Sequence, residues 1–230
     1  TGREIVSPLE YETICLLGTN CGLNDPDDVA KMNEIANDLG VDSIELGATI
    51  AVLMDAGKGG FGDVSFMREV TSEMMAGSEI GKFYASGTAR VGEALNFKRV
   101  PVIKKQAISA YDPRLIEVTG ISMMLTAQGA DHTVGNNATF KCDDKNIEEL
   151  VAESLRMQIN AAVADSLGLC VFGRSVTDEN LELISNAIND AFDAGVTPDF
   201  IRNIGRETLR LEAAFNNAAG FDEKDDELPS

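Results

Sequence analysis

Apolar residues recur at intervals of three and four along almost the whole 230-residue chain, which is the spacing of one face of an α-helix. Asp25-Pro26 has the form of a helix N-cap followed by proline at the first helical position, and an apolar repeat from Val29 to Leu39 follows it. Because this periodicity extends through most of the chain, the sequence predicts an all-α fold.

Further helices are predicted wherever the same spacing returns, over Ser43 to about Ala56, around Phe66, Val70 and Met74, near Gly81 to Leu95, and over Ile121 to Ala127, Ile147 to Leu167, Asp178 to Ala194 and Pro198 to Asn217. The longest of these is predicted to carry one apolar stripe, formed by Leu150, Val151, Leu155, Ile159 and Val163. Only Val100 to Ile103 has the character of a strand.

A change in composition marks a domain boundary near residue 100. The segment from Phe97 to Lys105 places four basic residues close together in an acidic chain, and the turn Tyr111-Asp112-Pro113-Arg114 follows it. We therefore predict a multihelical protein of two helical lobes, residues 1–100 and 101–230.

The overall charge limits the partners of the chain. It has 38 acidic and 19 basic residues, a formal net charge of −19, which argues against nucleic acid or an anionic membrane as a partner. No apolar stretch reaches the roughly 20 residues of a membrane span. The four cysteines form no CxxC pair and are too sparse for a disulfide scaffold, so a reducing cytoplasm is the expected location.

Two similar hexapeptides each follow a predicted helix. They are Asn37-Asp38-Leu39-Gly40-Val41-Asp42 and Asp165-Ser166-Leu167-Gly168-Leu169-Cys170. Glycine just past a helix can adopt the left-handed conformation that ends it, so the next two residues turn outward at a fixed angle. The pair suits two polar loops on one large cofactor, with the Cys170 thiol as a metal ligand. The alternative is two ordinary glycine caps that are alike by chance.

Two further positions carry groups suited to acid–base chemistry. His132, the single histidine, lies in a glycine-containing segment, and imidazole is the side chain that titrates nearest neutrality; the alternative is a hydrogen-bonded loop histidine. Glu10 and Glu12 precede an apolar run, where they are either first-turn acids favoured by the helix dipole or, if one is buried beside a cofactor, a usable acid or base. No phosphate-binding glycine loop, HExxH or Gly-x-Ser-x-Gly motif supports a nucleotide-binding or hydrolase function.

Taken in order, these segments resemble the tungstopterin-dependent aldehyde ferredoxin oxidoreductases over nearly the whole chain. The matching stretches are Leu9-Glu10-Tyr11-Glu12-Thr13, Leu17-Gly18-Thr19-Asn20-Cys21-Gly22, Leu39 to Ile44, Tyr111-Asp112-Pro113-Arg114, Gly129-Ala130-Asp131-His132, Asp165 to Cys170 and Asp225-Asp226-Glu227-Leu228-Pro229. The resemblance implies the helical C-terminal part of such an enzyme, the two lobes that enclose the pterin and the iron–sulfur cluster.

The resemblance also implies roles for individual residues. In the family each hexapeptide binds one of two pterins, a role that falls here to Asn37, Val41, Asp42, Asp165 and Leu169. The cysteine that closes the second hexapeptide, here Cys170, is the fourth ligand of the family's [4Fe-4S] cluster. The family's glutamate and histidine beside the metal correspond to Glu12 and His132 as catalytic residues.

The chain departs from the family in three respects. The N-terminal pterin-binding domain and the CxxCxxxC motif with the other three cluster ligands are absent, so we expect the isolated chain to hold neither tungstopterin (or molybdopterin) nor the cluster. Asn37 replaces the common Asp. Gln128 replaces an Arg at a cofactor-binding position and removes a cation that could meet a pterin phosphate. A fragment, a subunit completed by another chain and a diverged relative are three explanations.

The resemblance implies oxidation of an aldehyde to a carboxylate, with electrons leaving through the cluster to ferredoxin. The partners expected on this basis are the N-terminal pterin-binding domain, on the same or another chain, ferredoxin and the aldehyde, with a homodimer as one candidate assembly. The alternative function is a cofactor-free helical scaffold or interaction subunit that keeps the family fold.

Overall fold

The computed structural model describes residues 8–229 of the chain. Within that range the chain forms eleven α-helices, and a two-stranded hairpin is its single piece of sheet. The all-α prediction is therefore confirmed. No helix among these residues has both the length and the apolar character that a membrane crossing requires.

The chain divides into two compact units, Thr1–Ala110 with Leu228–Ser230, and Tyr111–Glu227. The predicted lobes, residues 1–100 and 101–230, stay a prediction, and their ends at residues 1–7 and 230 lie outside the described residues. Each unit has an apolar cluster of its own, which contains Leu17, Met32 and Ile50 in the first unit and Val163, Ile184 and Ile201 in the second.

The first unit holds six helices and the hairpin. A π-helical turn, Ile14–Gly18, and a 3-10 turn, Thr19–Cys21, follow the first short helix. The Asp25 side chain accepts a hydrogen bond from the Asp27 amide, as the Asp25-Pro26 signal predicts. The elements are α1 (Tyr11–Thr13), α2 (Pro26–Leu39), α3 (Ser43–Asp55), α4 (Val64–Ala76), α5 (Glu79–Tyr84), α6 (Thr88–Ala94), β1 (Val102–Ile103) and β2 (Gln106–Ala107).

The second unit is built around its longest two helices, which pack against each other. The helix that starts at Ile147 begins with a capping box, in which the side chains of Asn146 and Glu149 each accept a hydrogen bond from the main-chain amide of the other. The elements are α7 (Glu117–Leu125), α8 (Ile147–Ser166), a 3-10 turn (Val171–Gly173), α9 (Arg174–Thr177), α10 (Leu181–Phe192) and α11 (Pro198–Ala219).

The helix predicted from Gly81 to Leu95 is in fact two helices, α5 and α6. The break falls at Gly87, whose φ of 92° is a conformation that side-chain-bearing residues rarely adopt. The new helix start is fixed by Glu45 of α3, because its Oε1 accepts a hydrogen bond of 2.6 Å from the Thr88 amide.

The predicted strand is shorter than Val100 to Ile103, and it has a partner that the sequence did not predict. β1 and β2 form an antiparallel hairpin in which Ile103 lies opposite Gln106. The two loop residues, Lys104 and Lys105, have φ values of 49° and 67°. Such turns are usually formed by Asn-Gly or Asp-Gly, so a Lys-Lys loop gives no hairpin signal.

The apolar stripe predicted on α8 is partly wrong. Val151 and Leu155 are exposed, whereas Ser154 and Gln158 are buried. Ser154 forms a 2.8 Å hydrogen bond with Ser122 of α7 and accepts another from Gln158, so polar side chains take part in the contact between the two helices. Among the other predicted helices, α7 begins at Glu117 rather than Ile121, and α10 covers only Leu181–Phe192 of the predicted range.

Candidate functional site

The first hexapeptide forms a tight turn between α2 and α3. Gly40 has a φ of 68° and donates its amide to the Asn37 carbonyl, and the Val41 amide donates to the Ala36 carbonyl at 3.1 Å. These two bonds satisfy the carbonyls of Asn37 and Ala36 in the last turn of α2. Asp42 then begins α3, because its Oδ2 accepts a 3.0 Å hydrogen bond from the Glu45 amide.

The second hexapeptide repeats this main-chain arrangement at the end of α8. Gly168 has a φ of 66° and donates to the Asp165 carbonyl, and the Leu169 amide donates to the Ala164 carbonyl at 2.8 Å. The closing residues match as well, with φ and ψ of −66° and 132° at Asp42 and −71° and 132° at Cys170. Cys170 makes no side-chain cap to the 3-10 turn that follows, and its side chain is exposed.

Main-chain geometry alone does not mark these loops as cofactor sites. The same two hydrogen bonds close α4 at Gly77 and α11 at Gly220. The alternative of ordinary glycine caps therefore accounts for the turns equally well. What distinguishes the hexapeptides is the side chains that the turns present.

The side chains of the predicted cofactor-binding residues fall into two groups. Val41 and Leu169 are half-buried and pack on the apolar cluster of their own unit. The polar members all lie exposed on the surface, namely Asn37, Asp42, Gln128 and Asp165. The turns thus anchor each loop through one apolar side chain and leave its polar groups accessible.

The four cysteines have different environments, and only Cys170 is exposed. The Cys21 thiol is fully buried and donates to the carbonyls of Leu16 and Gly47, and burial raises its pKa to about 12. A thiol held protonated in this way is unsuited to bind a metal. Among residues 8–229 no three His, Cys, Asp or Glu side chains are grouped closely enough to hold a metal ion.

Glu12 lies in the first unit, in α1, two residues before the π-helical turn. Its side chain is only 8% exposed, and its Oε2 accepts a 2.8 Å hydrogen bond from the Ala110 amide. The neighbouring Thr13 hydroxyl is 2.9 Å from that of Ser43, next to Asp42. π-Helical turns occur often at functional sites. A buried, hydrogen-bonded carboxylate here is consistent with a role beyond helix capping.

His132 lies in the second unit, in a loop with its own hydrogen bonds. Gly129 has a φ of 92° and its carbonyl accepts from the Thr126 hydroxyl, while buried Asp131 accepts from the Thr133 amide and hydroxyl. The imidazole stacks on the Tyr111 ring, with centroids 5.7 Å apart and planes inclined by 17°. The loop thus holds the histidine side chain in a defined place.

Several residues at these positions were not predicted from sequence. Glu45 bonds the amides of Thr88 and Ala107, and Tyr111 stacks on His132 although the sequence indicated only a turn there. Glu212 of α11 has a raised pKa, caused first by partial burial and then by the Asp165 carboxylate of the second loop. No local sequence signal identifies these contacts.

Sequence comparison identifies the family of the chain. The family model described as "Aldehyde ferredoxin oxidoreductase, domains 2 & 3" matches residues 2–230. The chain belongs to the aldehyde ferredoxin oxidoreductase family. The resemblance drawn from the motifs is therefore confirmed.

Individual members of the aldehyde ferredoxin oxidoreductase family match almost all of the chain. The tungsten-containing aldehyde ferredoxin oxidoreductase of Pyrococcus horikoshii is 28% identical, and that of Pyrococcus furiosus is 26% identical, each across 96% of this chain. The "aliphatic sulfonate oxidoreductase, WOR-like subunit" of P. furiosus is 24% identical. The chain spans 40% of the length of the two aldehyde oxidoreductases.

Proposed function

We propose that the chain is the C-terminal part of an enzyme that oxidises an aldehyde to a carboxylate and passes the electrons through a [4Fe-4S] cluster to ferredoxin. The family match over residues 2–230 and the names of the relatives support this activity. The observation that carries it is the pair of loops with one main-chain path, which end in the accessible groups of Asp42 and Cys170.

Each loop by itself offers groups suited to one pterin of a large polar cofactor such as tungstopterin or molybdopterin. Asn37, Asp42 and Asp165 offer exposed amide and carboxylate groups, the hydrogen-bond partners that a pterin ring system requires. The amides of Val41 and Leu169 already bond to helix carbonyls, so these two residues would bind through their own carbonyl oxygens. Gln128, also exposed, would bind as a neutral amide where an arginine would bring a charge.

Cys170 fits one ligand position of a [4Fe-4S] cluster, and the other three belong outside the described residues. Its thiol is exposed on an extended residue, unlike that of Cys21. Because such clusters are held by four thiolates, a segment outside residues 8–229 has to supply the rest. The relatives are longer than this chain, and we propose that these ligands and the pterin-binding domain lie in the part of the enzyme that corresponds to their additional length.

When bound, the metallopterin would supply the two-electron oxidation and the cluster a path for single electrons. Glu12, buried and fixed by the Ala110 amide, would accept a proton from water or substrate. His132, held against Tyr111, would donate a hydrogen bond to the aldehyde carbonyl. The four free cysteines support a reducing cytoplasm as the location, and a homodimer stays among the proposed assemblies.

The test is metal analysis of the complete enzyme and of two cysteine variants. We expect tungsten or molybdenum together with iron in the parent. Cys170→Ser should lose the cluster or convert it, because an alkoxide replaces thiolate poorly. Cys142→Ser is the matched control in the same unit, since the Cys142 thiol is half-buried and donates to the Phe140 carbonyl at 3.8 Å.

Two results would contradict the proposal. A complete protein without tungsten, molybdenum and iron would favour the cofactor-free scaffold instead. An unchanged reduced-state EPR signal in Cys170→Ser would remove the cluster assignment. The complete reading frame of the gene adds an independent observation, since it shows whether a CxxCxxxC motif lies upstream of Thr1 or has to come from another chain.

A further inference from the structure

An exposed apolar segment follows Cys170 directly. Phe172 is 90% exposed, the highest value among the large hydrophobic side chains of the described residues. Val171 and Val176, on the same short segment, are also exposed. Exposed apolar side chains that gather in one place, rather than singly, indicate an interaction surface.

The surrounding contacts hold this segment on the second unit. Arg174, within α9, donates from Nη2 to the Met157 carbonyl of α8 at 3.3 Å, and its Nε lies 3.3 Å from Asp178 Oδ2. Before the segment, Leu169 packs into the cluster of Val163, Ile184 and Ile201. The main chain is thus fixed on both sides of Cys170 and Phe172, and the exposure of Phe172 belongs to the folded unit.

The cluster chemistry indicates what covers this surface. Among residues 8–229, Cys170 is not part of any group of three or more side chains that could hold a metal ion. The other three thiolates of a cluster therefore have to approach it from another segment. Phe172 is two residues further along, at most ~7 Å from Cys170 between Cα atoms. A segment that bonds the same cluster as Cys170 therefore passes within reach of the exposed Phe172 side chain. The relatives, of which the chain spans 40%, have the additional length for such a segment.

We propose that Val171, Phe172 and Val176 form the docking surface for the polypeptide segment that carries the other three cluster thiolates, with Phe172 closing that side of the cluster to water. This inference rests on the proposed function, because it requires Cys170 to be a cluster ligand.

The docking surface has a consequence for electron transfer. Reduction adds one negative charge to the cluster, and a surrounding from which water is excluded disfavours the added charge. Solvent exposure is one of the factors that set the potential of an iron–sulfur cluster. Phe172 therefore lowers the reduction potential, and a polar replacement that admits water raises it.

The experiment uses the complete enzyme and three variants. Phe172→Gln removes the apolar cover, and Phe172→Leu retains it with another apolar side chain. Phe215→Gln is the matched control, since Phe215 is 73% exposed on α11 of the same unit. The measurements are iron content, the rate at which a chelator removes iron, the midpoint potential of the EPR-detected cluster, and hydroxyl-radical footprinting of Phe172.

We expect Phe172 to react at least ~10-fold more slowly with hydroxyl radicals than a freely exposed phenylalanine. Phe172→Gln should lose iron to the chelator ~10-fold faster than the parent and have a more positive potential. Phe172→Leu and Phe215→Gln should both stay near the parent in the rate of iron loss and in the reduction potential.

The outcomes separate this inference from the proposed function. If Cys170→Ser loses the cluster while Phe172 reacts like an exposed side chain and Phe172→Gln behaves as the parent, the docking surface is wrong and the function stands. If Cys170→Ser retains an unchanged cluster, the assignment of Cys170 as a cluster ligand and the docking surface are both wrong. Protection of Phe172 that increases with protein concentration would assign the surface to a second copy of the chain and overturn the inference.

Discussion

The two hexapeptide loops follow one main-chain path but differ in what their last side chain does. Gly40 and Gly168 have φ values of 68° and 66°, and the residues that close the loops differ by only a few degrees. The Asp42 carboxylate caps α3, whereas the Cys170 thiol caps nothing and is exposed. The turn thus fixes where a group is placed, and the chemistry depends on which residue stands there.

The units that carry these loops also hold their candidate acid–base residues differently. Glu12 of the first unit is buried and bonded to a main-chain amide, whereas His132 of the second unit is half-buried in a loop and stacked on an aromatic ring. A main-chain hydrogen bond fixes one oxygen of a carboxylate, and ring stacking fixes the plane of an imidazole while leaving its nitrogens for other partners. Both arrangements suit groups that exchange a proton in place.

The largest expected effect is on turnover. Glu12→Gln and His132→Asn in the complete enzyme should each lower turnover by about 10²-fold or more, the range of general acid–base groups. Metal content should stay near that of the parent, since neither residue is proposed to hold a cofactor. Steady-state kinetics and metal analysis give both values.

Glu10→Gln is the control for Glu12, because Glu10 is an exposed acid two residues away. If both groups act on the same step, the double variant should be little worse than the worse single variant. Turnover within about threefold of the parent in both single variants would reject these assignments and leave His132 a structural loop histidine.

The similarity of the two turns is tested by a matched pair of glycine substitutions. Gly40→Ala and Gly168→Ala should each lower the free energy of unfolding by about 1–2 kcal/mol, the cost of a left-handed conformation for a residue with a Cβ. Apart from the adjoining residues, an alanine Cβ at either position would have no heavy atom within 4 Å, so the cost is conformational and should be equal at the two sites. Urea unfolding monitored by circular dichroism measures it.

The controls are Gly60→Ala and Gly173→Ala, one in each unit. Both positions have equally open surroundings and neither has a positive φ, so these variants should be neutral or slightly more stable. A large difference between Gly40→Ala and Gly168→Ala would show that the two turns are not energetically equivalent.

The parts of the fold that sequence predicts well are those set by near neighbours. The Asp25 cap depends on an amide two residues away, and the glycine turns on carbonyls three and five residues back. These interactions form within short segments, so the start of α2 and the two paired loops were predictable.

The parts that sequence missed depend on partners far along the chain. Glu45 bonds the amides of Thr88 and Ala107, which are 43 and 62 residues away, and this contact splits the predicted fourth helix. Ser154 is buried on α8 because Ser122, 32 residues earlier, satisfies its hydroxyl. The stacking of Tyr111 on His132 is likewise a contact between residues that are distant in the sequence. Hydrophobic periodicity carries no information about such pairs.

The different use of the two closing side chains predicts a smaller difference in stability. Asp42→Ala should lower the free energy of unfolding by about 1 kcal/mol, the usual loss for a helix N-cap. Cys170→Ala should change it by less than ~0.5 kcal/mol, as is typical of exposed side chains without a cap. Asp42→Asn, which keeps a capping oxygen, should restore most of the loss, and equal losses at positions 42 and 170 would contradict the comparison.

The smallest expected effect concerns the first residue of each loop, Asn37 in one and Asp165 in the other. Burial first, and then the Asp165 carboxylate, raises the pKa of Glu212 above its ordinary value of 4.5. Because the folded protein binds this proton more tightly than the unfolded chain, the contribution of Glu212 to stability is fully present below pH 4.5 and is lost as the pH rises through the raised pKa.

Asp165→Asn gives the second loop the neutral amide that Asn37 provides in the first loop. It also removes the carboxylate that is one of the two causes of the raised Glu212 pKa. The pKa of Glu212 should fall toward its ordinary value but stay above it, because burial remains. Carboxyl ¹³C NMR titration of the 230-residue chain measures the shift, with Asp190→Asn on α10 as a control of equal charge change. An unchanged Glu212 pKa in Asp165→Asn, or an equal fall in both variants, would mean that Asp165 does not act on Glu212 directly. A fall in Asp165→Asn alone would show that the second loop carries a local negative field that Asn37 does not provide in the first.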